Sequence, residues 1–113
     1  MKIYHNPKCS KSRQTLEIIK GETSAFEIIE YLKNPISAEE ITVLLSQLNI
    51  KPIELVRTQE TIWKENYKGK ELTEREIINA MTENPKLIER PIVVKNNKAV
   101  IGRPPENVLS LFA

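Results

Sequence analysis

The chain has one cysteine and one histidine in 113 residues, and both scarcities exclude chemistry. A lone cysteine forms no internal disulfide, so the fold does not depend on an oxidising compartment. Cys9 and His5 fall short of the four ligands that a structural zinc site takes, so no metal is expected. Charge of one sign is scarce as well. The 17 basic and 15 acidic residues leave a formal net charge of +2, too balanced for the basic face that nucleic-acid binding requires. No apolar run approaches the roughly 18 residues of a membrane span. Met1-Lys2-Ile3-Tyr4-His5 leads straight into polar sequence, without a signal-peptide core. Low-complexity tracts and internal repeats are missing too. These absences predict a cytoplasmic monomer, one domain over residues 1–113, with no bound cofactor, no membrane and no nucleic-acid partner.

What is present is a strand–helix pattern with clear punctuation. Lys2 to His5 reads as a strand that Asn6-Pro7 closes. A helix follows from about Ser10 to Lys20, stopped by Gly21, and Ala25 to Tyr31 reads as a second strand. That spacing suggests a parallel βαβ unit. Two middle helices carry capping boxes, Ser37 with Glu40 and Thr73 with Glu76, each with a hydrophobic staple. Ile41, Leu44, Leu45 and Leu48 form the first buried stripe, and Ile77, Ala80 and Met81 the second. Pro52 to Asn66 predicts one or two short helices. Near the end, Pro91 to Lys95 and Ala99 to Ile101 flank Asn96-Asn97 as a β-hairpin. Pro104-Pro105 opens a last helix, with Val108, Leu109 and Phe112 inward. The order predicts an α/β, thioredoxin-like fold: a four-stranded mixed sheet with a helical insertion between the second and third strands.

Cys9 lies between the first strand and first helix, at the carboxyl end of a strand, where open α/β sheets bind ligands. Most isolated cysteines are small buried hydrophobes. Cys9 instead has no apolar neighbour within three residues except Pro7. A helix N-terminus offers unpaired amides and partial positive charge, and Lys8, Lys11 and Arg13 are nearby cations. Together they predict a depressed thiol pKa and a nucleophilic thiolate. Arg57, Arg90 and Arg103 each stand at an element boundary expected near the sheet's edge, and His5 is placed to tune the cysteine.

Four separated motifs agree with one family in order. Tyr4-His5-Asn6-Pro7-x-Cys9, Ser12-Arg13-x-Thr15-Leu16, Arg90-Pro91-Ile92-Val93-Val94 and Gly102-Arg103-Pro104 resemble the glutaredoxin-coupled arsenate reductases. Cys9-Ser10-Lys11-Ser12-Arg13 with Ile101-Gly102-Arg103-Pro104-Pro105 looks like their compact, arsenate-reductase-like branch. The resemblance implies that Cys9 attacks arsenate and that Arg57, Arg90 and Arg103 hold the oxyanion. It implies supporting roles for His5, Arg13 and Pro91, with a cis bond at Arg90-Pro91. Glutathione as co-substrate, with glutaredoxin, would reduce the Cys9–arsenic adduct and release arsenite. Guanidinium suits that task, because its planar fork binds a phosphate-like anion bidentately without titrating.

Two other readings compete. Transcriptional regulators of this fold, which bind RNA polymerase, are similar through the Arg-Pro-Ile region but carry Cys-x-x-Cys, and here the second position is Ser12. A monothiol, glutathione-linked reductase with a different substrate is the other. A phosphatase loop needs Cys-x5-Arg, and Thr15 stands where that arginine belongs.

Overall fold

Three short strands near the termini and one after the first helix build the sheet, and the chain between β2 and β3 is entirely helical or irregular. The computed structural model describes residues 1–112. They divide into two compact units, one formed by Met1–Asn34 with the stretch from Arg90 onward, the other by Pro35–Glu89.

The first unit contains β1 (Lys2–Tyr4), α1 (Ser10–Glu22), β2 (Glu27–Ile29), β3 (Ile92–Lys95), β4 (Lys98–Ile101) and a C-terminal 3₁₀ helix, Pro105–Phe112. Strand order is β2-β1-β3-β4, with β1 and β2 parallel and the other pairs antiparallel. This is the mixed four-stranded sheet that the order of elements predicts. The hairpin turns on Asn96 and Asn97, with φ of 51° and 64°. Both angles lie in the left-handed region that a two-residue turn demands and asparagine tolerates. Ile3 and Val93 from the sheet, Leu16 and Ile19 from α1, and Val108 form a buried cluster. Each such side chain contributes about 1.5–3 kcal/mol when fully buried.

Some boundaries differ from expectation. α1 runs through Gly21 to Glu22, because the chain's next amide, from Thr23, still donates to Ile19 O. A mid-helix glycine costs about 1 kcal/mol, less than the buried Ile19 contributes. β2 is three residues rather than seven, limited by the length of β1 and by the turn in which Lys33 and Asn34 donate to Glu30 O. The last segment is 3₁₀ rather than α-helical. Three residues per turn align Pro105 and buried Val108 with half-buried Leu111 and leave Leu109 exposed, where a 3.6 period would turn Leu109 inward.

The second unit holds α2 (Ala38–Leu48), α3 (Pro52–Leu55), α4 (Thr61–Asn66), α5 (Glu74–Glu83), a 3₁₀ turn at Pro85–Leu87 and an antiparallel bridge between Val56 and Ile88. Ser37 Oγ accepts from the Glu40 amide at 3.1 Å. Thr73 and Glu76 cap each other reciprocally at 2.9 and 3.1 Å. Ile41, Leu44 and Leu45 are buried as expected, and Leu48 is half-buried. On α5 the buried residues are Ile78, Ala80 and Met81, so the inner face is rotated from Ile77 toward Ile78. The α5 helix packs against both α2 and α3. Trp63 stacks on Tyr67 one turn along α4, with centroids 5.2 Å apart.

Candidate active site

The loop from β1 into α1 is tied by its own backbone. The Cys9 amide donates to Asn6 O at 3.0 Å, and the Lys8 amide donates to Asn6 Oδ1 at 3.0 Å. This side-chain turn is what asparagine supplies ahead of a helix. Cys9 is the N-cap of α1, with extended φ and ψ of −94° and 124°, and its carbonyl accepts the first helical bond from the Arg13 amide. The sulfur therefore sits at the positive end of the helix.

Two arginines from distant sequence flank it. Arg103 Nη2 donates to Cys9 Sγ at 3.4 Å, and Nε of the same guanidinium donates to Arg90 O at 2.8 Å. The peptide bonds Arg90-Pro91 and Arg103-Pro104 are both cis. The second of these had no sequence signal of its own. Burial pushes the Cys9 thiol up, but the Ser12 amide, a hydrogen bond from Arg90, the Lys11 amide and the Arg90 charge outweigh it, and the pKa lies below the ordinary value. The sulfur makes no capping bond of standard geometry; the amides act on it as oriented dipoles that favour the anion.

Arg13 Nη1 donates to Pro7 O at 2.9 Å, clasping the loop, while Arg90 and Arg103 are the cations that act on the sulfur. Lys8 and Lys11 have exposed side chains. His5 is buried, with Nδ1 at 2.7 Å from Ser12 Oγ. Burial holds the imidazole pKa below 6.5; Glu30 opposes this, and Arg13 and Lys20 add to it. His5 is thus a neutral ring at pH 7.

Arg90 Nε is buried and donates to no acceptor among the described residues. Arg57 belongs to the second unit, after the α3 turn. Its amide donates to Leu87 O at 2.7 Å and its Nε lies 3.6 Å from Glu60 Oε1. Arg57 Nε and Nη1 are buried with no acceptor in hydrogen-bond range among the described residues. The structure thus brings Cys9, Arg90 and Arg103 together within one unit and places Arg57 in the other.

Three residues that the sequence reading places only within motifs support the site. Ser12 and Thr15 are polar yet 0% exposed. Gly102 packs against Thr15 and Pro91, and its amide donates to Pro91 O at 2.9 Å. Polar residues two and five positions past the helix's first residue, on the side that carries Leu16 and Ile19, were the available signal.

The ArsC family matches residues 4–111. The chain belongs to the ArsC family. Among its relatives, the Escherichia coli (strain K12) protein YfgD is 49% identical over 113 residues, covering 98% of this chain and 95% of that protein. An arsenate reductase of Haemophilus influenzae is 40% identical over 112 residues, covering 97% of each. The solved structure of an arsenate reductase from Vibrio cholerae superposes with a TM-score of 0.92 at 45% identity, covering 98% of each chain. The ArsC-family fold is thioredoxin-like, as the element order predicts. Among the described residues of this ArsC-family chain, no helix is long and apolar enough to cross a membrane, and no three His, Cys, Asp or Glu side chains cluster to hold a metal.

Proposed function

We propose that this ArsC-family chain reduces arsenate to arsenite with Cys9 as nucleophile. The observation that carries the reading is a cysteine at a helix cap, favoured as thiolate, beside two guanidinium groups, one with a buried Nε that has no protein acceptor among the described residues. An unpaired buried donor is costly, about 1–3 kcal/mol, and an oxyanion satisfies it. The related arsenate reductases, at 40% and 45% identity across nearly the whole chain, support the same substrate.

In this mechanism Arg90 and Arg103 neutralise the anion so that an anionic sulfur can approach it. Sulfur bonds to arsenic(V), and one arsenate oxygen leaves as water after protonation. Reduction to arsenic(III) takes two electrons. The chain has no second cysteine to give them, so two external thiols, from glutathione and glutaredoxin, supply them and leave as a disulfide. Water then hydrolyses the sulfur–arsenic(III) bond, which releases arsenite and returns the Cys9 thiolate and a proton.

A coupled assay with arsenate, glutathione, glutaredoxin and NADPH tests this, run beside one with thioredoxin alone. Turnover is expected in the first and not in the second. Equal rates in both sink the glutathione-coupled route, and no turnover in either sinks arsenate as the substrate.

A further inference from the structure

Ser12 occupies the position where a dithiol protein of this fold would carry its second cysteine, and it is not an idle replacement. Its hydroxyl is 0% exposed and carries two bonds. Oγ accepts from the Asn6 amide at 3.0 Å, and it lies 2.7 Å from His5 Nδ1. Hydroxyl oxygen has two lone pairs and one proton, so both contacts are satisfied whichever His5 tautomer is present. Both partners lie at the end of β1, whereas Ser12 lies in the first turn of α1, three residues past the cap. The hydroxyl therefore joins the strand end to the helix start across the loop that holds Cys9.

We propose that Ser12 is a positioning residue for the Cys9 nucleophile: its buried hydroxyl locks the end of β1 to the first turn of α1, so that the amides of that turn stay aimed at the sulfur. The Ser12 amide is the strongest single influence that favours the thiolate, ahead of the Arg90 hydrogen bond, the Lys11 amide and the Arg90 charge taken one by one. Side chain and main chain of one residue thus work as a bracket, the first fixing where the second points. Sulfur would serve poorly here, being a weak acceptor for the Asn6 amide. Removing the hydroxyl leaves that amide buried and unpaired, and the turn gains freedom to move off the sulfur. Other charges around the thiolate stay in place in this account: Arg90 and Arg103 on one side, Arg13 held by Pro7 O, and neutral His5 behind Ser12.

The inference rests on the nucleophilic role proposed for Cys9, and its test reads the sulfur directly. Iodoacetamide alkylation of Cys9 is measured against pH in the wild type, Ser12→Ala and Ser12→Thr. Ser12→Ala is expected to alkylate about three- to tenfold more slowly below its inflection, a shift of about half to one pKa unit. At pH 10, where the thiol is ionised in every variant, the rates should converge. Ser12→Thr retains the hydroxyl and should recover most of the wild-type profile. Should Ser12→Ala not fold, His5→Phe removes one end of the bracket while keeping a ring, and the same upward shift is expected. An unchanged inflection overturns the inference, as does a rate lowered equally at all pH values, which reports access rather than ionisation. Arsenate turnover by the wild type separates the two readings: its absence, with the Ser12→Ala shift present, removes the substrate and leaves the bracket.

Discussion

Arg103 Nη2 lies 3.4 Å from Cys9 Sγ, joining residues 94 positions apart. The same guanidinium uses Nε to hold Arg90 O at 2.8 Å. One side chain thus contacts the sulfur and fixes the backbone of the second arginine. Lysine reaches a single point and cannot do both. Arg103→Lys is therefore expected to restore charge without restoring geometry. Hydrogen bonds to charged groups are worth about 1.5–3 kcal/mol, so Arg103→Ala should lower arsenate kcat/KM about tenfold to a hundredfold. Arg103→Lys should recover only part of that loss. Full recovery by lysine, in steady-state kinetics, would show that the fork is irrelevant.

The depressed Cys9 pKa has a consequence for stability. Between the folded and unfolded pKa values the unfolded chain holds more protons, so stability rises with pH through that window. The contribution is fully present above the unfolded value of about 8.5 and is lost as pH falls through the folded one. Cys9→Ser removes the group. Urea denaturation of both proteins across pH 5 to 9 should show the wild type gaining on Cys9→Ser as pH rises. A gap that narrows with rising pH contradicts the assignment.

The parts of this molecule readable from its sequence are those fixed by local chemistry. Thr73 and Glu76 lie three residues apart and cap a helix by themselves. Asn96-Asn97 makes its turn from its own backbone preferences. Cys9 stood out because a polar loop at a helix start is an unusual place for a thiol. For Arg13, sequence proximity says that a cation is near but not where its side chain points; it reaches Pro7 O. In the sequence Ser12 reads as a motif residue and an absent second cysteine, because its positioning role comes from His5 and Asn6, which the fold places behind it. The 3₁₀ form of the last segment was hidden for the same reason: Val108 suits either period, and packing decides.

His5 is the chain's single histidine, so its ring gives one imidazole signal in an NMR titration. Burial opposes the imidazolium, and the observed pKa should fall below 6.5. The folded state then binds the proton less readily than the unfolded one, and the protein loses stability as pH falls below about 6.5. His5→Gln should flatten that part of the acid limb. An imidazole titrating at or above 6.5 would place the ring in solvent or beside an unscreened carboxylate, contrary to its 6% exposure.

Gly102 joins the site to the helix that carries Cys9. A Cβ built on it would stand 2.5 Å from Thr15 Oγ1, 2.8 Å from Pro91 Cγ and 3.1 Å from Thr15 Cγ2. Thr15 is fully buried, with its hydroxyl directed at Gly102 O at 3.4 Å, and Pro91 O accepts from the Gly102 amide. Neither neighbour is the free end of a flexible side chain, so the added methyl must displace α1, the Arg90-Pro91 segment or both. Overpacking of this kind costs about 1–3 kcal/mol. Gly102→Ala should lose about that much in urea denaturation. It should also lose turnover, because Arg103 is the next residue and its guanidinium reaches both Arg90 O and Cys9 Sγ. Thr15→Ala removes two of the three close atoms, so Gly102→Ala should cost less in that background than in the wild type, leaving the Pro91 contact as the residue of the penalty. Coupling between touching residues is usually about 0.5–3 kcal/mol. An equal cost in both backgrounds would mean that Thr15 does not confine Gly102, and the close approach of α1 to the Arg103 strand end would lose its role in holding the site.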